Sequence, residues 1–250
     1  MEVHHHTHHP KSWKEYLQEF LMLFFAVFLG FMSEYYLEYR AERHKEHDYL
    51  NSMLIDLQSD LKEVDIKNAK MEDIVSAGNK ISDVIYKPTL SMQDIDTLYA
   101  SSEIIISRVY NIDFSTGTID QLRNAGGFRL IQNESIVRKI SDYEKGKITM
   151  QVQLDEIIER AANVHRIQNR LLHISVFTKD LKSSFDKRKL ATIKNQTGSV
   201  FLTSDKNVFF EYANYVNIMT GYIAHYERMA KAQQQKAQEL IALIQEELAH

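Results

Sequence analysis

Residues 20–32 read FLMLFFAVFLGFM, thirteen apolar residues in succession in a chain of 250 that is otherwise strongly polar. As a helix this run covers about 20 Å, less than a hydrocarbon core of about 30 Å. Its flanks lengthen it. Between Tyr16 and Tyr39 only Gln18, Glu19, Ser33, Glu34 and Glu38 interrupt the apolar character, and that span is about 36 Å as a helix, enough to cross a bilayer with both ends in the headgroup region. Trp13 and Tyr16 precede the run and Tyr35, Tyr36 and Tyr39 follow it, the placement of rings with an apolar body and a polar tip at the two membrane interfaces. The segment is apolar around its whole circumference, whereas a surface helix carries a polar stripe.

These features predict an uncleaved transmembrane helix, with Phe20, Leu21, Leu23, Phe24, Phe25, Val27, Phe28, Leu29 and Phe31 as its membrane-anchoring side chains and Trp13, Tyr16, Tyr35 and Tyr36 as its interfacial aromatics. Two other readings compete. A buried helix of a soluble protein suits the length of the central run, and a signal-peptide core suits its position. The second lacks a small-x-small cleavage site, since the run continues into SEYYLEYRAERHKEH. Lys11 and Lys14 on one side face Arg40, Arg43 and Lys45 on the other, so the positive-inside rule scarcely orients the helix.

Composition selects the fold class. The chain has two prolines and eight glycines, well below average usage of about 5% and 7%. Residues 31–77 and 147–197 contain neither. Both residues are costly inside helices, so such stretches suit long helices. The expected class is all-α: one N-terminal transmembrane helix continuing into an elongated antiparallel bundle, with coiled-coil-like packing or oligomerisation. There are no cysteines, which removes disulfides, thiolate metal sites and thiol catalysis. A net charge of −4 gives no general electrostatic case for nucleic acid.

Pro10 is placed to open the first helix, which should run to about Tyr86, where Lys87-Pro88 stops it. Leu50, Leu54, Leu57, Leu61, Val64, Met71, Ile74 and Ile81 form its apolar stripe beyond the membrane. Ser91 with Asp94 marks a second start, Thr118 with Gln121 a third, and Gly126-Gly127 a left-handed stop. Asn133 should cap a long helix whose apolar positions include Ile136, Ile140, Ile148, Val152, Leu154, Ile158, Val164 and Leu171. Residues 182–207, rich in Lys, Ser, Thr and Asn, read as a loop with at most one short turn. Residues 208–250 read as a last long helix.

Two segments carry a resemblance. The start MEVHHHTHHPKSWKEYLQEFLMLFFAVFLGFMSEYYLEYR and the looser central FSTGTIDQLRNAGGFRLIQNESIVRKISDYE resemble an uncharacterised membrane-anchored family of Gram-negative bacteria. The resemblance implies an inner-membrane location with the N-terminus cytoplasmic and the bulk of the chain periplasmic. It implies no activity. On this reading 1–12 is a His-rich cytoplasmic tail, 13–39 the membrane helix with its flanks, and 40–250 the extracytoplasmic bundle.

Several clusters could carry chemistry. His4, His5, His6, His8 and His9 can bind a divalent transition metal if a flexible tail wraps the ion, although terminal residues are commonly solvated and nothing local sets a geometry. His44 and His47 share a helix face but lack identifiable further ligands; an exposed polar helix in which Glu42 and Glu46 pair with nearby bases accounts for ERHKEHD. Glu19 and Glu34 bracket the apolar run close to water, so an ion path through them would need helices assembled around an axis. Residues 118–144 scan as a helix-turn-helix, but Glu134, Asp142 and Glu144 offset Arg138, Lys139 and Lys145, which favours a packing corner over DNA binding. His165, His173 and His225 read as core-edge histidines, and Phe209, Phe210, Tyr212, Tyr215, Tyr222 and Tyr226 as core, with a ligand pocket as the alternative. No nucleophile–base pair stands out.

The expected function is therefore non-enzymatic: a scaffold or accessory subunit of an envelope complex, with the bilayer and either further copies or other membrane proteins as partners, and no nucleic acid. One alternative is a small-ligand sensor transmitting through the membrane helix, which would need a partner to receive its signal. Another is metal handling by the histidine tail, the one place where a cofactor has candidate ligands.

Overall fold

The computed structural model describes residues 12–107, 111–177 and 185–249. The chain is all-α. Among the described residues six α-helices follow in order: α1 (Trp13–Ile85), α2 (Met92–Ser107), α3 (Gly117–Asn124), α4 (Glu134–Leu171), α5 (Lys187–Thr197) and α6 (Lys206–Leu248), with 3-10 turns at Gly127–Leu130 and Ile174–Val176. An isolated antiparallel bridge joins Leu172 to Phe201.

Helix α1 has 73 residues and is therefore about 110 Å long. It starts at Trp13, where the Glu15 carboxylate accepts from the Ser12 N–H at 3.3 Å; Pro10, the expected opener, lies outside the described residues. It ends at Ile85 ahead of Lys87-Pro88, as the missing proline donor requires. From about residue 42 onward it is the first leg of a bundle. The chain then turns back: α2 and α3 form a broken second leg, fastened to α1 where the Ser115 N–H donates to Asp60 at 2.7 Å and the Thr118 N–H to Asp56 at 3.1 Å. Helix α4 runs outward again. Helix α6 returns antiparallel to both long neighbours, with Ser82 donating to Asn217, Gln234 to Asp65 and Asn133 to Glu247. The result is an up-down-up-down bundle whose last connection, between α4 and α6, is long and carries α5, and the C-terminal turn of α6 comes back to the end nearest the apolar segment.

Of the start and stop signals, that expected at Thr118 is displaced: α3 begins at Gly117 after Thr116, and Thr118 is buried inside the helix; those at Ser91, Gly126 and Asn133 hold. Ser91 donates through its N–H and hydroxyl to the Asp94 carboxylate, and the Asp94 N–H donates back to the Ser91 hydroxyl oxygen. Asn133 accepts from the Ser135 N–H at 3.0 Å. Gly126 takes φ 63° between α3 and the following 3-10 turn, a left-handed conformation that glycine adopts without steric cost.

Two expectations are corrected. Residues 182–207 are not simply a loop: they contain α5, capped by Asp186, which accepts from the Arg188 and Lys189 N–H groups at 3.0 Å, and closed by Gly198 at φ 77°. Its single buried residue is Leu190, too sparse a signal for periodicity to register. Second, Ile148, Val152 and Ile158 are exposed. The core of α4 follows Tyr143, Met150, Leu154, Ile157 and Val164 instead, and the exposed residues stand outside that arc.

The interior is divided along its length. A core near the apolar segment gathers Leu50, Met53, Leu57, Ile140, Leu240 and Ile244, and a longer distal core gathers Val64, Met71, Ile74, Ile157, Ile223 and Tyr226. Between them lies a polar layer. Asp60, 2% exposed, accepts from the Tyr143 hydroxyl at 2.8 Å, and Gln233, equally buried, donates to the Tyr143 carbonyl at 2.6 Å. Lys147 reaches the Ser115 carbonyl at 2.7 Å and stands over the Phe114 ring. Gly146 makes this possible, because a Cβ there would lie 2.0 Å from the Gln233 carboxamide oxygen.

Candidate functional site

The apolar segment of α1 is bare. All of the predicted anchoring residues from Phe20 to Phe31 are exposed, at 40–70%, and none of the apolar window is covered by the other described residues. A buried helix of a soluble protein would be packed against its own core, and the described residues leave this one bare. By length and composition α1 is able to cross a membrane. Phe20, Phe24 and Phe28 stack along one side, with ring centroids 6.2 and 5.9 Å apart. Trp13, Tyr16, Tyr35 and Tyr36 are exposed at its ends, and Arg40 lies 6.0 Å from the Tyr36 ring centre.

Just beyond, the bundle is clamped to α1. Arg43 pairs with Glu46 and donates to the Leu130 carbonyl at 2.8 Å, while Glu46 accepts from the Gln132 N–H at 2.7 Å. Glu46 is 5% exposed, so ERHKEHD is not wholly a solvated face as expected. Here its carboxylate ties down the approach to α4, and buried carboxylates need such partners. His44 sits 3.7 Å from Asp48 and His47 3.0 Å from the Asn51 amide. Among the described residues no group of three His, Cys, Asp or Glu side chains is placed to hold a metal; His4, His5, His6, His8 and His9 lie outside them. Two of the three basic residues of the helix-turn-helix scan are engaged, Arg138 with Glu134 and Lys139 with Glu239.

At the far end, residues 174–177 and 185–208 close the bundle. Tyr99 of α2 is its hub: fully buried, it donates to the Val200 carbonyl at 2.6 Å, accepts from the His173 N–H at 3.1 Å, and is surrounded by Phe177, Phe185 and Phe201. Burial pushes its hydroxyl up to about 12. Beside this cap, between the end of α1 and the start of α6, is a pocket of about 370 Å³. Its walls are aromatic. Tyr86 stacks on Phe210 with centroids 5.5 Å apart, and Phe201 meets Phe209 edge-on at 4.9 Å. Ile85, Pro88 and Leu90 complete the apolar lining, while Thr203, Ser204, Lys87 and Lys206 supply the polar edge.

Set against models of protein families, curated proteins and solved structures, the chain matches none of them.

The pocket rim has its own electrostatic brace. Lys87 pairs with Asp94, and this contact, with the Ser91 hydrogen bonds, holds the Asp94 carboxyl down at about 2 from an ordinary 3.8. A depressed folded value means that the contribution to stability is complete above about pH 4 and is lost as pH falls through 2. An NMR titration should place the Asp94 midpoint near pH 2, and Asp94→Asn should show a shallower loss of stability below about pH 4; a midpoint at 3.8 would contradict the brace.

Of the six aromatics between 209 and 226, Tyr212 and Tyr226 are core and Phe209 and Phe210 are pocket wall. Tyr222 borders a shallower groove with His225, its ring under Arg160 at 4.2 Å. Periodicity missed the clamp, the polar layer and the pocket's union of 85–90 with 199–210. One signal existed: Asp60 falls on the apolar stripe between Leu57 and Val64, where a carboxylate has to find partners.

Proposed function

We propose that this chain is a single-pass protein of a Gram-negative inner membrane, with 1–12 cytoplasmic, 13–39 in the bilayer and 40–250 periplasmic, and that it works without catalysis as a scaffold or accessory subunit of an envelope complex. The observation that carries the reading is the continuity of α1: one unbroken helix joins the bare apolar segment to the bundle core. A single helix of this kind sets the bundle at a fixed stand-off from the bilayer, which is what a spacer or assembly platform needs. The compartment and orientation rest on the resemblance of the N-terminal and central segments. Contact faces are available, since Ile55 and Ile66 of α1 and Ile148 and Val152 of α4 are exposed apolar side chains outside the bundle core. Further copies or other membrane proteins are the partners this reading calls for.

Reporter fusions at both ends test the topology, with a periplasm-active reporter expected to work only at the C-terminus. Purification from native membranes in mild detergent tests the role. A stoichiometric partner or a defined homo-oligomer is expected, and a monodisperse monomer without partners would defeat the scaffold reading.

A further inference from the structure

The distal pocket has features that a contact face for scaffolding does not require. It is concave, of a size that holds a small molecule, and lined by apolar and aromatic groups together with Lys87, Ser199, Thr203, Ser204 and Lys206, a mixture that can hold and orient a ligand. Its aromatic pairs remain open to water at the mouth: Tyr86 is 56% and Phe210 39% exposed. Rings arranged in this way offer both a face and an edge to a planar guest.

The polar edge has one sign. Lys87 and Lys206 are the charged residues of the lining, and no carboxylate belongs to it. Asp94 already holds Lys87. Lys206 has no ion-pair partner among the described residues, and it is the first residue of α6, where the helix dipole adds positive potential. Asp205 caps this helix by accepting from the Asn207 N–H, which offsets part of that potential and leaves the Lys206 ammonium as the principal cationic group. The Thr203 hydroxyl accepts from the Asp205 N–H, leaving its own proton to donate, and Ser204 lies beside it on the lining. An ammonium and two hydroxyls at one edge of an aromatic slot match a planar body ending in a carboxylate.

Distance selects the source. The pocket stands at the end of α1, about 70 Å along the helix from Tyr39, beyond the reach of headgroups in the bilayer that would hold the apolar segment. The guest arrives from the aqueous phase.

We propose that the membrane-distal pocket binds a small water-borne aromatic carboxylate, its rings lying against Tyr86, Phe210 and Phe209 and its carboxylate facing Lys206. This goes beyond the scaffold role and does not depend on it, because every residue used belongs to the bundle; the aqueous source of the guest rests on the proposed membrane placement of the apolar segment.

The test uses the full chain in detergent micelles, titrated calorimetrically with 2-naphthoate and with naphthalene-2-methanol, which keeps the ring body and lacks the charge, each corrected against micelles alone. Saturable 1:1 binding of 2-naphthoate is expected, at least tenfold tighter than that of the alcohol. Lys206→Gln, a surface change, should erase the tenfold preference and leave the alcohol's affinity unchanged. Phe210→Ala should weaken both ligands, with the thermal unfolding profile confirming that the variant is folded. Absence of saturable binding above the micelle blank overturns the proposal. Equal affinities for the two ligands, or a preference that survives Lys206→Gln, also overturns it.

Discussion

Replacing Phe24 and Phe28 together by arginine should strip the protein from the membrane fraction. An arginine near the centre of a span costs about 2.5–3.5 kcal/mol on the insertion scale, and each lost Phe forgoes a few tenths more, so the pair costs about 6 kcal/mol. That exceeds what one helix with Glu19 and Glu34 at its margins has in reserve. The measurement is alkaline carbonate extraction followed by sedimentation. Phe24→Leu with Phe28→Leu should remain in the pellet, while the arginine pair should appear in the supernatant or in aggregates. Because the other described residues do not cover either ring, the bundle should keep its helical circular dichroism. Full membrane retention of the arginine pair would mean that the segment does not anchor the chain.

The second large effect is expected inside the bundle. Asp60→Ala removes the acceptor shared by the Ser115 N–H and the Tyr143 hydroxyl. Each buried donor left without a partner costs about 1–3 kcal/mol, so the variant should lose about 2–5 kcal/mol. At about 2–4 °C per kcal/mol for a domain of this size, the thermal midpoint in a constant mild detergent should fall by about 5–15 °C. Asp60→Asn keeps an acceptor and should lose much less. The pH response separates the two carboxylates described above. Burial raises the Asp60 carboxyl above 3.8, and the hydrogen bonds from Ser115 and Tyr143 and the attraction of Lys147 offset this only in part. A raised folded value means that the folded state holds the proton more tightly than the unfolded chain. Its contribution is therefore fully present below about pH 3.8 and declines as pH rises through the folded value. Relative to Asp60→Asn, the parent protein should lose stability with rising pH across that window, opposite in sign to the Asp94 effect. A parallel pH course for the two proteins would show that Asp60 is not buried as described.

The polar layer also bears on specificity. An up-down-up-down bundle of apolar stripes permits sliding by a heptad or a turn, since one Leu/Ile layer resembles the next. The Asp60–Tyr143–Gln233 layer, with Gly146 opposite Gln233, satisfies its hydrogen bonds in a single register of α1, α4 and α6. It acts as the pin of the bundle more than as a source of net stability, because buried polar groups only recover what their desolvation costs.

What was determined locally was legible in the residues themselves. The all-α class followed from the scarcity of glycine and proline, the bare apolar segment from its unbroken run and aromatic flanks, and the starts at Ser91 and Asn133 from capping chemistry that needs only neighbouring residues. The α5 helix escaped because one buried leucine gives no period, although Asp186 and Gly198 stood at its two ends. Ile148 and Val152 misled because hydrophobicity without a partner helix does not say which arc of α4 faces inward. The clamp at Arg43 and Glu46, the layer at Asp60 and the pocket between 85–90 and 199–210 join residues that lie far apart in the chain, except for the local Arg43–Glu46 pair. The clamp arises when the chain after α3 returns to α1, and the pocket when α6 returns antiparallel between α1 and α4, since register, burial and the convergence of distant side chains are properties of the packed helices and of no single stretch of sequence.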